Sequence, residues 1–177
     1  MATRILLLRA VNVGGATLPM ARLRALLADL GGTDVRTYIA SGNAVVDVPG
    51  DAAAFDRAVE DAVERDFGFR REVISRTPAE VAGAVAAHPF EVADPKYSYV
   101  SFLLGAPTPE GLEAAAEVPA GEDRWQVVGR ELHLRFADGM GRATLDVARL
   151  QRRLGVVGTA RNLRTVDAVL ALAAGRE

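Results

Sequence analysis

Apolar residues along the chain change their spacing from segment to segment, and those changes mark out the elements. Thr3 to Leu8 carries strand signals ending in an apolar run, and beyond a glycine-bearing loop Met20, Leu23, Leu26, Leu27 and Leu30 recur three and four apart, as on one helix face. Gly31 and Gly32 stop that helix, whose first turn is expected near Leu18 and Pro19. "DVRTYIA" and "NAVVDV" are β-rich runs joined at Ser41-Gly42, the pattern of a hairpin. From Asp51 to Phe67 the helical spacing returns, with Phe55, Val59, Val63 and Phe67 on one face, Asp51 as cap and Gly68 as stop. "FRREVIS" then reads as a strand.

The order is β-α-β-β-α-β, the split βαβ or ferredoxin-like arrangement. Pro78 to Ala87 reads as a connecting helix, and "HPF" followed by "ADP" marks a linker. The plan then starts again: "YSYVSFLLG" as strand, Pro109 to Val118 as helix, and "DRWQVV" with "ELHLRF" as a hairpin turning at Gly129-Arg130. Leu145 to Leu154 is a helix, "VVGTA" a short strand and Leu163 to Ala173 a closing helix. The expected fold class is α+β, two tandem ferredoxin-like halves with antiparallel sheets: residues 1–77, a connector at 78–96, and residues 97–177.

"ILLL" and "VSFLL" are apolar on both faces, so the sheets should partly cover each other or continue across a dimer. "ELHLRF" alternates, which places Leu132, Leu134 and Phe136 inward and His133 and Arg135 outward.

Composition narrows the function. Half of the 177 residues are hydrophobic and a quarter charged, an ordinary globular balance able to bury a sizeable core. A net charge of −2 argues against general nucleic-acid binding, which needs a basic face. The absence of cysteine excludes disulfides, thiolate catalysis and zinc ribbons. His88 and His133 stand far apart in sequence without carboxylates at ligand spacing, so no metal site is expected. The opening apolar run is too short for a signal peptide or a membrane span, and cytoplasmic residence is the expectation.

Candidate chemistry gathers in three stretches. In "LLRAVNVGG" a strand ends at Arg9, and a loop with Asn12, Gly14 and Gly15 leads to a helix start. Backbone N–H groups there, with glycines allowing close approach and Arg9 supplying charge, would suit an anion. Neither the P-loop nor the dinucleotide fingerprint is present, and the plain alternative is a tight turn pinned by Asn12. In "YIASGNAVV", a third strand antiparallel to the first starts where the first ends, which puts Ser41, Gly42 and Asn43 beside Arg9 and Asn12. The plain alternative is a hairpin whose Gly and Asn tolerate positive φ, with Tyr38 as packing. In "GTARNLRT", Asn162 could cap the closing helix, while Arg161 and Arg164 sit near its first turn, where positive charge is unfavourable unless an anion meets it. Arg149, Arg152 and Arg153 read as a solvated helix face.

These stretches, together with "GMGRATLD", resemble the bacterial family catalogued as domain of unknown function 1697, over essentially the whole chain. The family pattern runs L-L-R-G-I-N-V-G-G, M-x-x-L-R, T-Y-I-x-S-G-N, G-R-S and T-x-R-N-x-x-T. By position the resemblance implicates Arg9, Asn12, Gly14, Gly15, Met20, Tyr38, Ser41, Gly42, Asn43, Arg142, Arg161, Asn162 and Thr165. It implies an α+β fold of ferredoxin-like character and no assigned activity or cofactor. Ala10 stands where the family has glycine and Ala143 where it often has serine. No serine chemistry is therefore expected at Ala143, and Ala10 implies that the loop needs no positive φ there.

The function expected from the residues is binding of a small anionic ligand, a nucleotide or phosphorylated metabolite. Its site would comprise Arg9, Asn12, Gly14, Gly15, Ser41 and Asn43, joined by Arg161 and Asn162. The alternative is a protein-interaction or assembly module, as monomer or homodimer. RNA binding on a sheet falls behind both, because "RILLLRA" and "NAVVDV" carry no aromatic residue for base stacking. No nucleophile stands beside a base, so neither catalysis nor a cofactor is assigned.

Overall fold

The computed structural model describes residues 1–175. Met1–Ala82 with residues 167–175 forms one compact unit, and Gly83–Val166 forms a second. The first unit contains β1 (Ala2–Leu8), α1 (Met20–Asp29), β2 (Thr33–Tyr38), β3 (Asn43–Val48), α2 (Ala52–Phe67) and β4 (Val73–Arg76), followed by α3 (Pro78–Ala86), which starts in it. Its sheet is antiparallel, in the order β2-β3-β1-β4.

Local signals account for most boundaries. Asp51 accepts the Ala54 N–H at 2.8 Å to cap α2, and Gly68, at φ 79°, closes it. Thr77 and Glu80 cap α3 reciprocally, each side chain accepting the other residue's N–H. Helix α1 begins at Met20, two residues after Leu18, and its cap position is Pro19, which provides no side-chain cap. Strand β4 is shorter than "FRREVIS". Arg70 is tied along α2 instead, to Asp61 at 2.7 Å and Glu64 at 2.9 Å, and the register with β1 runs from Leu8 opposite Val73 to Ile5 opposite Arg76.

One face of this sheet packs on α1 and α2: Leu6, Leu8 and Val46 meet Leu23, Leu27, Phe55, Val59 and Val63. Burial of each such side chain contributes about 1.5–3 kcal/mol. On the opposite face Ile5, Leu7, Val45 and Ile74 are buried too, as the two-sided apolar pattern of "ILLL" requires.

The second unit contains β5 (Ser98–Leu103), α4 (Pro109–Ala116), β6 (Arg124–Val128), β7 (Glu131–Arg135), α5 (Val147–Leu154) and β8 (Gly158–Asn162), and α6 (Leu163–Ala174) starts in it. Its antiparallel sheet has the order β6-β7-β5-β8, and Leu103, Leu132, Leu134 and Phe136 pack with Ala115, Leu150 and Leu154 of α4 and α5. His133 corrects the outward placement expected of it: it is fully buried, with its Nδ1 3.0 Å from His88 Nδ1. Alternation assigns His133 to the face opposite Leu132 and Leu134, but it does not say whether that face meets water. No helix of the described residues is long and apolar enough to cross a membrane.

Candidate functional site

The glycine loop leaves the end of β1 between two anchors. The Arg9 N–H donates to the Glu72 carbonyl at 3.0 Å, and the Leu8 N–H donates to the Gly42 carbonyl at 2.9 Å. Between β1 and α1 the chain turns through four left-handed residues: Ala10 at φ 51°, Asn12 at 57°, Gly14 at 57° and Gly15 at 84°. The expectation that Ala10 avoids positive φ is overturned. Its neighbours fix the turn, and the alanine bears a strain that glycine would not.

Asn12 organises the loop. Its Oδ1 accepts the Leu18 N–H at 2.7 Å, while its Nδ2 donates to the Leu18 carbonyl at 2.9 Å and to the Ala40 carbonyl at 2.5 Å. Its own N–H donates to the Ala16 carbonyl at 2.7 Å. The side chain thus ties the loop, the entry to α1 and the β2–β3 turn together, and all its polar atoms are spent on main chain.

Antiparallel pairing of β1 with β3 sets Leu7 opposite Asn43, so Ser41, Gly42 and Asn43 do lie at the glycine-loop end of the sheet. Asn43 is fully buried, and its Nδ2 donates to the Tyr38 carbonyl at 3.0 Å and to Ser41 Oγ at 2.9 Å. Gly42 has φ 86°, and a Cβ there would stand 2.6 Å from Val11 Cγ2, so close approach of the turn to the loop also requires glycine. Ile39 in the same turn is left-handed at φ 48° and 51% exposed, an uncommon state for a β-branched residue.

What remains open at this end is main chain. No group among the described residues accepts from the N–H groups of Val13, Gly14 or Gly15, and a Cβ on either glycine would meet nothing within 4 Å. Arg9 borders the loop half-exposed, 3.3 Å from the Glu72 carboxylate. Arg71 donates through Nε to the Ala10 carbonyl at 3.2 Å and lies over the Phe69 ring.

Arg161 and Asn162 belong to the second unit. Arg161 is a strand residue on β8 rather than part of the helix start, and it is buried. Its Nη1 donates to Thr159 Oγ1 at 2.7 Å and to the Ala160 carbonyl at 3.0 Å, and burial lowers its pKa to about 10. Asn162 Oδ1 accepts the Thr165 N–H at 2.9 Å, which caps α6 as expected. Arg149, Arg152 and Arg153 are exposed on α5.

Other buried polar groups escaped notice in the sequence. Glu60 on α2 accepts from Arg57 at 2.7 and 2.9 Å, from Arg70 at 3.1 Å and from the Val73 N–H at 2.9 Å. Asp56, one turn earlier, accepts from Ser75 Oγ at 2.7 Å. Two carboxylates four apart beside an apolar helix stripe were the available signal. Asp123, 5% exposed, accepts the N–H groups of Ala137, Thr144 and Leu145 at 2.8–3.0 Å and holds the "GMGR" loop much as Asn12 holds the glycine loop. The two histidines meet across sequence, but no group of three metal-ligating side chains occurs among the described residues.

Two four-stranded antiparallel sheets with six helices among the described residues define an α+β protein. Residues 1–133 match the model of a family described as "Protein of unknown function (DUF1697)", and the chain belongs to that family. The match takes in the first two motif stretches and ends before "GMGRATLD" and "TARNLRT", so the resemblance noted for those segments lies outside it. A solved structure, that of the conserved bacterial protein SP0830 from Streptococcus pneumoniae, is similar in fold with a TM-score of 0.80 and 17% sequence identity. The alignment covers 98% of this chain and 99% of that one. No curated protein matches the chain.

Proposed function

We propose that this is a soluble cytoplasmic protein whose glycine loop binds a small anionic ligand, a nucleotide or phosphorylated metabolite, through main-chain amides. The observation that carries this is the set of consecutive N–H groups without acceptors at three exposed residues, Val13, Gly14 and Gly15, on a loop that Asn12 holds in shape. Such amides favour negative charge by geometry and need no dedicated side chain. Arg9 and Arg71 border the loop and add positive charge. Asn12, Ser41 and Asn43 then serve as its frame rather than as ligand contacts. The halves at 1–77 and 97–177, around a connector at 78–96, are read as tandem ferredoxin-like repeats, supported by the matching strand orders.

Titration of the 15N-labelled protein with inorganic phosphate, ATP and a sugar phosphate tests this. The expected result is a saturable shift of the Val13, Gly14 and Gly15 amides that Arg9→Ala weakens. Amides that stay fixed with every anion would refute it.

A protein-interaction module is the second reading, favoured by Val13 and Ile39, 59% and 51% exposed on the two segments that Asn12 joins. Under that reading Val13→Asp abolishes an association seen by sedimentation, and anions leave the amides unmoved.

A further inference from the structure

Away from the glycine loop, Arg4 on β1, Ser75 on β4 and Asp56 on α2 form a hydrogen-bonded chain within the first unit. Arg4 Nη2 donates to Ser75 Oγ at 3.0 Å, and Ser75 Oγ donates onward to Asp56 Oδ2 at 2.7 Å. Asp56 is 8% exposed and Ser75 6%. The other carboxylate oxygen, Asp56 Oδ1, is buried with no hydrogen-bond partner, as is Arg4 Nε. An ionised carboxylate can accept about four hydrogen bonds, so one that receives a single bond in a dry setting is poorly compensated for its lost hydration.

We propose that Asp56 is a proton-operated latch on α2, which seats the helix against β1 and β4 firmly when protonated and loosely when ionised. A proton on Oδ1 removes the uncompensated charge and leaves the Ser75 bond to Oδ2 in place. The charges around the group are few. Arg4 faces it from β1 across Ser75, Arg57 and Glu60 flank it on its own helix, and Glu80 of α3 lies 3.7 Å from Arg4 Nη1 and draws on the same guanidinium.

Burial is the largest influence and opposes ionisation; the Ser75 hydrogen bond and the two arginines favour it, and Glu60 opposes it. The net effect raises the Asp56 carboxyl to about 6. A folded-state value above the unfolded one means that stability is fully present in acid and is lost as pH rises through about 6. The latch therefore loosens between about pH 4 and pH 6 and is fully loosened at neutrality, and α2 is the element it releases.

Native-state hydrogen exchange at pH 5.0 and 7.5, corrected for the intrinsic chemical rate, tests this on the full chain beside Asp56→Asn. Protection of the α2 and β4 amides is expected to fall about tenfold between the two pH values in the parent and to stay level in the variant. The 13C carboxyl resonance of Asp56, followed in the parent protein, should titrate near pH 6. Titration with ordinary aspartates at about 4 would overturn the proposal, and so would an Asp56→Asn variant that keeps the parent's pH slope. Both outcomes are independent of whether the glycine loop binds an anion.

Discussion

The Asn12 amide donates to the carbonyl of Ala40, 28 residues further along the chain, and so joins the glycine loop to the β2–β3 turn. With its two bonds to Leu18, this makes one side chain the common support of three segments. Asn12→Ala is expected to destabilise the protein by about 2–3 kcal/mol, since main-chain partners lose their bonds and the left-handed residue loses its tolerance. Urea unfolding measures the cost. Asn12→Asp retains the Leu18 N–H contact but sets a carboxylate oxygen against the Leu18 and Ala40 carbonyls, and should recover none of the loss.

Ala10→Gly is expected to stabilise the protein. The alanine is held at φ 51°, and relief of that strain, less the added freedom of the unfolded chain, amounts to roughly 0.5–1 kcal/mol. A melting temperature that rises by a few degrees would bear this out. No rise would show that the loop relaxes around alanine without cost.

The His88–His133 pair makes the second unit sensitive to acid. Burial, and then the neighbouring His88, lower the His133 pKa to about 4, and burial lowers that of His88 as well. The unfolded chain takes up protons below its ordinary value near 6.5, which the folded pair resists. Stability is therefore present above pH 6.5 and is lost as pH falls towards 4. The two imidazoles, 3.0 Å apart, share this loss between them. His133→Gln should flatten the corresponding slope in urea unfolding.

Glu60→Gln tests the carboxylate beneath Arg57 and Arg70. The substitution turns one acceptor into a donor facing guanidinium groups and removes the charge they share, which should cost on the order of 2–3 kcal/mol. A loss well below 1 kcal/mol would mean that water replaces the arginine contacts.

Much of the architecture is legible before folding is considered. The three-and-four spacing of Met20 to Leu30 and the run from Phe55 to Val63 locate α1 and α2, and Asp51 and Gly68 bound α2. β3 runs antiparallel both to its hairpin partner β2 and to β1, which brings Ser41–Gly42–Asn43 against the end of β1. The periodicities are local, each arising from the repeat of a single helix or strand, so a linear sequence carries them in full.

Other features depend on which distant segments meet. The positive φ of Ala10 comes from a loop closed by Asn12 onto Ala40 and by Arg9 onto Glu72, not from alanine's own preference. His133 is buried beside His88, and Arg161 is buried on a strand, although their local sequence suits an exposed face and a helix start. Asp56 gains its proton affinity only when α2 presses it towards Ser75 with one oxygen unpaired. The sequence by itself determined the elements, their order and the apolar faces, since those follow from the period of one segment. Only the tertiary structure decided which polar atoms are hydrated, paired or bare, because desolvation and hydrogen bonding depend on neighbours that the chain brings from far away.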